Sequence, residues 1–469
     1  MSNPKSKLTI FIPIEVKVRE LISKLLISYK LINIVDCKII IGSQRLIFSR
    51  YKDLKNIIWL DKHTFHSKLK NYTLPGSVKF MLDEEGPLVW NYGVWNKIRF
   101  NAKIINFYNK IILHGRSDQA LLKKYNKKKF LVYGHPKYDI IKNYKKIFYD
   151  EAKKIKNKEK KFILIVSSFS YDGYAGQDIE NEIIKINTKD SDFLKYLKNH
   201  HKDKSAIHEN YFNLIYLTIK LAEELPSKNI IFRPHPTQNI DLVKERFPKN
   251  LKNIKVVYNK TVTPWIMACS FFIHSGCSTY IEAYLFKKKI INIYKKKYKN
   301  FREFNHAGPT FFDADRCIKF IKNNLNKELK FSPKKNKMEN ILINLKNANF
   351  SDYFAEYIKK NYSNLKSLLI KRSAKKNNTW FKLKKEFFLL LSLIKNKIIL
   401  KTYFKKFLPQ HYFFSKDYKI KKFNYLHKSE ISSVFKKFSE IDKKKNFLKK
   451  ISISKVCQDV YEIKNITKS

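Results

Sequence analysis

The sequence predicts an α/β protein built from two Rossmann-like domains facing across a cleft, followed by a basic, mainly helical C-terminal extension. Three observations predict it. Short apolar runs of strand length alternate with helically spaced apolar positions, once over residues 1–145 and again over 160–330, which is the βαβ rhythm of parallel sheets. Within the second series, the apolar runs 230–232 and 271–273 each end abruptly in a polar cluster. Such clusters fall where parallel strands present their carboxyl ends, the ligand-binding edge of an open α/β sheet. From about residue 335 the punctuation changes: glycine is absent after Gly308, and Lys-rich helical spacing replaces the alternation of strand and turn.

Residues 8–14 (L-T-I-F-I-P-I) read as the first buried strand. Residues 16–32 place Val18, Leu21, Ile22, Leu25, Leu26 and Tyr29 at helical spacing, and 39–41, closed by Gly42-Ser43, complete the opening βαβ unit. Further strands are expected at 57–60, 79–82, 111–114 and 130–133. The Lys-rich stretch 142–161 reads as the linker between the domains. The second series opens at 162–166. A polar insertion, 170–207, with Gly173 and Gly176, is expected as a loop or lid. The helix 211–225, the strands 230–232 and 271–273, the run K-I-I-N-I ending at Ile293, and a closing helix 314–325 follow. The extension 335–469 reads as a helical appendage outside the sheets.

Composition narrows the function classes. With 44% hydrophobic and 15% aromatic residues in 469, the chain has material for more than one core. Its net charge of +57 invites a nucleic-acid reading. However, only ten of the 97 basic residues are Arg, and Lys, Ile and Asn are enriched throughout. That is the signature of AT-rich coding, not of a surface built for bidentate base or phosphate contacts. No specific nucleic-acid partner is expected. The five cysteines, Cys37, Cys269, Cys277, Cys317 and Cys457, form no C-x-x-C pair and read as reduced thiols of a cytoplasmic protein. The apolar run at 8–14 meets Glu15, Lys17 and Arg19 at once and does not read as a signal peptide. No run approaches the ~20 apolar residues of a membrane span.

Several constellations carry chemistry. Arg233-Pro-His-Pro236 follows a strand. Its prolines stiffen the turn and remove backbone donors, which leaves Arg233 and His235 as side-chain donors for an anion. His274-Ser275-Gly276-Cys277-Ser278-Thr279 precedes a helix, where amides and the helix dipole favour negative charge. Glu282 in that helix is either the far residue of a capping box or a carboxylate that accepts hydrogen bonds from a ribose diol. Asp83-Glu84-Glu85-Gly86 follows a strand. It is either a polar turn or the source of a general base for an acceptor hydroxyl. Glu15 and Arg19 stand at the first strand-to-helix junction and can also simply pair at i, i+4. His135 ends the first half in G-H-P-K-Y-D, where it can face the cleft or Asp139 can simply cap a helix. The pairs Asp190/Asp192 and Asp313/Asp315 read as caps or solvated loops. No metal-ligand spacing, Walker loop or G-x-G-x-x-G occurs, which argues against P-loop kinases and nicotinamide dehydrogenases. No metal or cofactor is expected.

At these residues the chain resembles a bacterial family of surface carbohydrate (surface polysaccharide) biosynthesis proteins, over about residues 8–320. The matching pieces are I-P-I-E-V-K-V-R-E-L from Ile12, D-E-E-G at Asp83, Y-G-H-P-K-Y-D at Tyr133, R-P-H-P-T at Arg233, P-W-I-M-A at Pro264 and I-H-S-G-C-S-T-Y-I-E-A at Ile273. Several pieces in one order make the likeness more specific than any single piece. The resemblance implies a GT-B glycosyltransferase architecture. More remotely the pattern is similar to CMP-sugar transferases, namely bacterial sialyltransferases and capsular Kdo transferases. That likeness implies Glu84, within the acidic motif Glu84-Glu85-Gly86, as the acceptor base. It also implies His235 with Ser275, Ser278 and Thr279 as binders of the nucleotide phosphate. Two departures stand out: the extra Asp83 blurs the register of the base, and His135 occupies a position where the family more often has Asn.

Two function classes follow. The first is a metal-independent glycosyltransferase that moves a sugar from a nucleotide-sugar donor, possibly CMP-activated, to a surface polysaccharide, capsule or lipopolysaccharide acceptor, a glycan or lipid-linked glycan. The same crevice also suits a nucleotide-sugar epimerase or a glycerophosphotransferase. The second is a non-catalytic assembly factor held at an anionic membrane by the basic extension. Aromatic and basic residues interleave there, with Lys382–Lys385 beside Trp380 and Phe387. The intact acidic pair favours the enzyme. Its expected place is the cytoplasm, peripheral on the inner face of the membrane.

Overall fold

In the computed structural model the structure describes residues 7–44, 46–47, 57–62, 77–84, 86–87, 100–169, 191–236, 238–258, 260–296, 308–327, 335–345, 349–373, 423 and 425–467. They form two sheets. The first takes β1 (Leu8–Ile14), β2 (Cys37–Ser43), β3 (Ile57–Asp61), β4 (Val78–Leu82), β5 (Lys110–Leu113) and β6 (Phe130–Val132), all parallel, in the order β2-β1-β3-β4-β5-β6. The second takes β7 (Phe162–Val166), β8 (Asn229–Arg233), β9 (Ile254–Val256), β10 (Phe271–His274), β11 (Lys289–Ile293) and β12 (Thr310–Phe311). It is also all parallel, in the order β12-β11-β10-β7-β8-β9. Counted from its own first strand, that is the Rossmann order. The architecture is α/β and GT-B-like, two Rossmann-like sheets with a cleft between them. The strands were readable because helices cover both faces, so they appear as unbroken apolar runs. All seven residues of β1 except Thr9 are buried.

Helices fill the crossovers. They include α1 (Lys17–Ile34), α2 (Pro136–Asn143), α3 (Tyr149–Glu159), α4 (Ser191–Glu224), α5 (Thr263–Ala268), α6 (Tyr280–Leu285) and α7 (Ala314–Asn324). Two departures from expectation appear here. The Lys-rich linker is largely helical: α3 buries Ala152 and Ile155, the latter in the core of the second domain. The expected polar insertion ends in helix from Ser191 onward, and residues 170–190, with Gly173 and Gly176, lie outside the described residues.

The larger correction concerns the tail, which is not an appendage of the sheets. β13 (Ile451–Cys457) and β14 (Val460–Asn465) form an antiparallel hairpin, and β14 pairs with β2, extending the first sheet to eight strands. α8 (Phe350–Lys360) and α9 (Lys428–Ile441) then pack on the same core. In α8 the stripe Phe350, Phe354, Ala355 and Ile358 faces inward, and the Phe354 ring meets Phe80 edge-on at 5.4 Å. From α9, Phe435 and Phe438, with the following Phe447, surround Tyr29 of α1. The chain is fastened where it crosses back. Asp139 of α2 accepts hydrogen bonds from Asn344 Nδ2 and from the amides of Phe350 and Ser351. It therefore caps the entry to α8, not its own helix. Burial lifts its carboxyl to about 6 against those donors. Gly42 is required at the new seam: its φ is +149°, and a Cβ there would sit 2.0 Å from the Asp459 carbonyl oxygen.

Candidate functional site

Each sheet has a switch point, where the strand order reverses and adjacent crossovers leave a crevice. In the first sheet it lies between β1 and β3, and in the second between β7 and β10. Both carry polar side chains.

At the first switch point Glu15, just after β1, meets Lys62, just after β3, at 2.6 Å. Glu20, one turn into α1, accepts the Glu15 amide at 2.9 Å and the Arg19 guanidinium at 3.2 Å. Burial pushes the Glu20 carboxyl upward, opposed chiefly by Lys62. One turn further along α1, Lys24 is fully buried and lies 2.9 Å from Glu84, which follows β4. The other oxygen of Glu84 is 3.0 Å from His135 Nε2. Burial disfavours the ionised form of Glu84, but Lys24 and then His135 outweigh it, and the carboxyl lies well below the usual range. His135 is engaged at both nitrogens, because its Nδ1 accepts the Lys137 amide as the cap of α2. Its ring stacks on His114 at 5.2 Å, and His114 Nε2 bonds the Asp83 carbonyl at 3.1 Å. The structure thus gathers Glu15, Arg19, Asp83, Glu84 and His135 at one carboxyl edge. In this arrangement both oxygens of Glu84 are engaged and its basicity is low. Glu85 lies outside the described residues.

At the second switch point Ser168, after β7, donates its hydroxyl to the Ser275 carbonyl, after β10. This ties the two crevice walls together. Ser275 is buried, Gly276 adopts φ +77°, Ser278 is exposed and Thr279 half-buried. His274 shapes this turn from below: its Nδ1 accepts the Cys277 amide at 3.1 Å, and its ring stacks on Tyr280. Burial lowers its pKa to about 3, so it stands neutral and brings no positive charge to an anion. Arg233 ends β8, buried, donating to the Lys260 carbonyl at 3.0 Å with its guanidinium 5.9 Å from the Trp265 ring centre. Burial lowers its pKa to about 10, which leaves it a cation at neutral pH. His235 is half-buried, and its amide is held by Gln238 Oε1 at 2.8 Å. Glu282 makes no capping box, as no side chain caps α6. It is buried, accepts the Thr263 hydroxyl at 2.7 Å and pairs with Lys137.

The Lys137–Glu282 pair spans the two halves, from α2 beyond the first sheet to α6 of the second. Beside it, Arg19 and Ile22 of α1 face Thr261 and Thr263 across a cavity of about 20 Å³, room for about one water. The two carboxyl edges therefore face each other. Sequence reasoning missed Lys24, Lys62, Lys137 and Thr263. The readable signal for Lys24 was a polar row, Glu20, Lys24 and Ser28, running at four-residue spacing through the apolar positions of α1.

No protein family matches the chain, and no curated protein matches it. Similar solved structures include the wall teichoic acid polymerase TagF, soaked with CDPG, at 12% identity and TM-score 0.46, covering 76% of this chain and 89% of that one. Another is the UDP-GlcNAc 2-epimerase of Methanocaldococcus jannaschii in complex with UDP-GlcNAc and UDP, at 12% identity and TM-score 0.46, covering 76% and 100%. A third is S. aureus MnaA with UDP, at 13% identity and TM-score 0.43, covering 77% and 98%. At these values the likenesses assign no chemistry, and the fold class rests on the strand orders themselves.

Proposed function

We propose that the chain is a glycosyltransferase that takes a sugar from a nucleotide-sugar donor held on the second domain and passes it to a surface polysaccharide or lipopolysaccharide acceptor entering over the first. The observation that supports this is the pair of facing switch points with opposite character. The second offers the buried Arg233 cation, the half-buried His235 and the turn 275–279, all suited to a diphosphate or phosphodiester. The first offers carboxylates, suited to an acceptor hydroxyl. In this reading Glu84 is the acceptor base expected from the acidic motif. It reaches that role when acceptor binding draws Lys24 or His135 off its oxygens and raises its basicity. Glu15, the more accessible carboxylate at 34% side-chain exposure, is the alternative base. The resemblance of the H-P and serine motifs makes a cytidine nucleotide the first donor to test.

Thermal stabilisation by CMP, CDP, UDP, GDP and ADP tests the donor side. A ligand at about 100 times its Kd adds about 2.7 kcal/mol. One nucleotide is expected to stabilise the wild type and to lose that effect in His235→Ala, whose half-buried ring contributes little packing. Stabilisation by none, or equal stabilisation of the variant, removes the assignment.

The segment 374–422, which holds the aromatic–basic interleaving, lies outside the described residues. No helix of the described residues is long and apolar enough to cross a membrane. We place the membrane contact of the enzyme in that segment, since each basic residue near an anionic surface adds about 1 kcal/mol. Sedimentation with phosphatidylserine vesicles should fall when Lys382, Lys384 and Lys385 are changed to Gln. Unchanged sedimentation would exclude the segment.

A further inference from the structure

A groove of about 690 Å³ opens on the second domain, between α4 and the start of α7. It lies off the crevice between β7 and β10. Its lip is formed by Lys295, just beyond β11, and Asp313, just beyond β12, so it shares the carboxyl edge of that sheet. Its volume falls within the range of small-ligand sites.

Three properties define what it fits. The first is aromatic. Phe212 and Tyr216 sit at i and i+4 on one face of α4, 47% and 44% exposed, and both line the groove. Phe312, also exposed, stands next to the lining residue Asp313, its ring against Tyr294. Large apolar side chains left in water at one place mark a binding surface. The second is polarity at the floor. Asn213 lines the groove at 9% exposure, and among the described residues its Nδ2 has no hydrogen-bond partner. A buried amide of this kind is normally satisfied. The third is charge. In a chain of net charge +57, the groove is lined by Glu209, Asp313 and Asp315 against Lys295. Glu209 is paired with Lys296, and Asp313 caps α7 through the Arg316 amide. The local balance disfavours phosphate and nucleic acid, which would find cations almost anywhere else on this protein.

Half-exposed rings, with the Arg246 guanidinium 5.6 Å from the Phe212 ring centre, a buried amide and carboxylates around a wide shallow groove suit a chain of neutral sugars. Pyranose rings present one apolar face to an aromatic side chain and a rim of hydroxyls to acceptors and amides. We propose that this groove is a glycan-binding subsite that holds the acceptor polysaccharide a few sugars away from the reacting end. Phe212 and Tyr216 serve as stacking platforms, with Asn213 and Asp315 as hydrogen-bonding groups. The acceptor's identity as a glycan rests on the proposed function; the groove's affinity for sugar does not depend on the donor site.

The full chain is applied to an array of purified bacterial surface polysaccharides and defined neutral oligosaccharides, and the affinity for the best binder is measured by titration. Tyr216→Ala and Phe212→Ala should each weaken it about tenfold or more, the scale of one lost aromatic contact. Tyr216→Phe should keep most of it, and the unfolding midpoint of all three should stay at the wild-type value. No binding anywhere on the array, or full affinity in both Ala variants, overturns the subsite. Nucleotide stabilisation is followed in the same variants and should be unchanged. Its absence from the wild type together with intact sugar binding would overturn the donor assignment and leave the subsite standing.

Discussion

Replacing Lys24 by Met isolates the buried cluster that anchors the first switch point. The Lys24 side chain is 0% exposed and Glu84 2%, with Nζ and Oε1 2.9 Å apart. Water cannot repay the lost cation. Removing one partner of such a pair typically costs about 3–5 kcal/mol, because a charge is left buried and uncompensated. Glu84→Gln leaves the buried ammonium without its carboxylate and should cost a similar amount. Replacing both together removes both charges, so Lys24→Met/Glu84→Gln should be less destabilised than the sum of the singles by at least about 3 kcal/mol. Glu84 also sets an acid limb. Its carboxyl is lowered in the folded state, so its contribution is present above the unfolded value near 4.5 and is lost as pH falls through the folded one. That limb should vanish in Glu84→Gln. Because a two-domain chain need not unfold in one step, the assay is hydrogen exchange of the slow amides of β1, α1 and β4, which reports local stability. Singles within about 1 kcal/mol of wild type, or a double mutant equal to the sum, would refute a coupled buried pair.

His274 gives a second pH signature. It is held at about 3 in the fold and titrates near 6.5 when unfolded, so lowering the pH below 6.5 favours the unfolded chain. Between pH 7.5 and 5.5 the second domain should lose about 1.4 kcal/mol through this group. Urea unfolding of His274→Gln, whose amide oxygen can still accept the Cys277 amide, should lack that loss; identical slopes in both proteins would exclude it. The comparison with the variant matters because Asp139, raised to about 6, acts in the opposite sense: its contribution is present at low pH and lost as pH rises through 6. Phe354→Ala should cost about 3–5 kcal/mol and speed exchange in β1 and β4, far away in sequence. Faster exchange confined to the tail itself would show that α8 is not part of the first domain's core.

What could be read from the sequence divides along physical lines. Parallel strands covered on both faces announce themselves as apolar runs, and the polar ends of β1, β4, β8 and β10 therefore put the candidate residues at the carboxyl edges of the two sheets. The tail hid its strands for the opposite reason. β13 alternates buried Ile451 and Ile453 with half-buried Ser452 and exposed Ser454, and in a Lys-saturated sequence that short period-2 pattern merges into the background. Its turn uses Asp459 at φ +60° where a glycine would have flagged a hairpin. Lys24 shows the same limit more sharply. Among 97 basic residues a lysine carries almost no information, and only its place in the Glu20–Lys24–Ser28 row, facing inward on α1, distinguishes it. The bond from that lysine to Glu84 changes the chemistry of the acidic motif. Read as sequence, the motif offers a base; folded, it offers an ionised carboxylate already paired with Lys24 and His135, whose basicity is low while those partners stay in place. An acceptor that used Glu84, as proposed above, would therefore have to do two things at once, enter the cleft and loosen a buried ion pair, which would tie reactivity there to occupancy of the cleft.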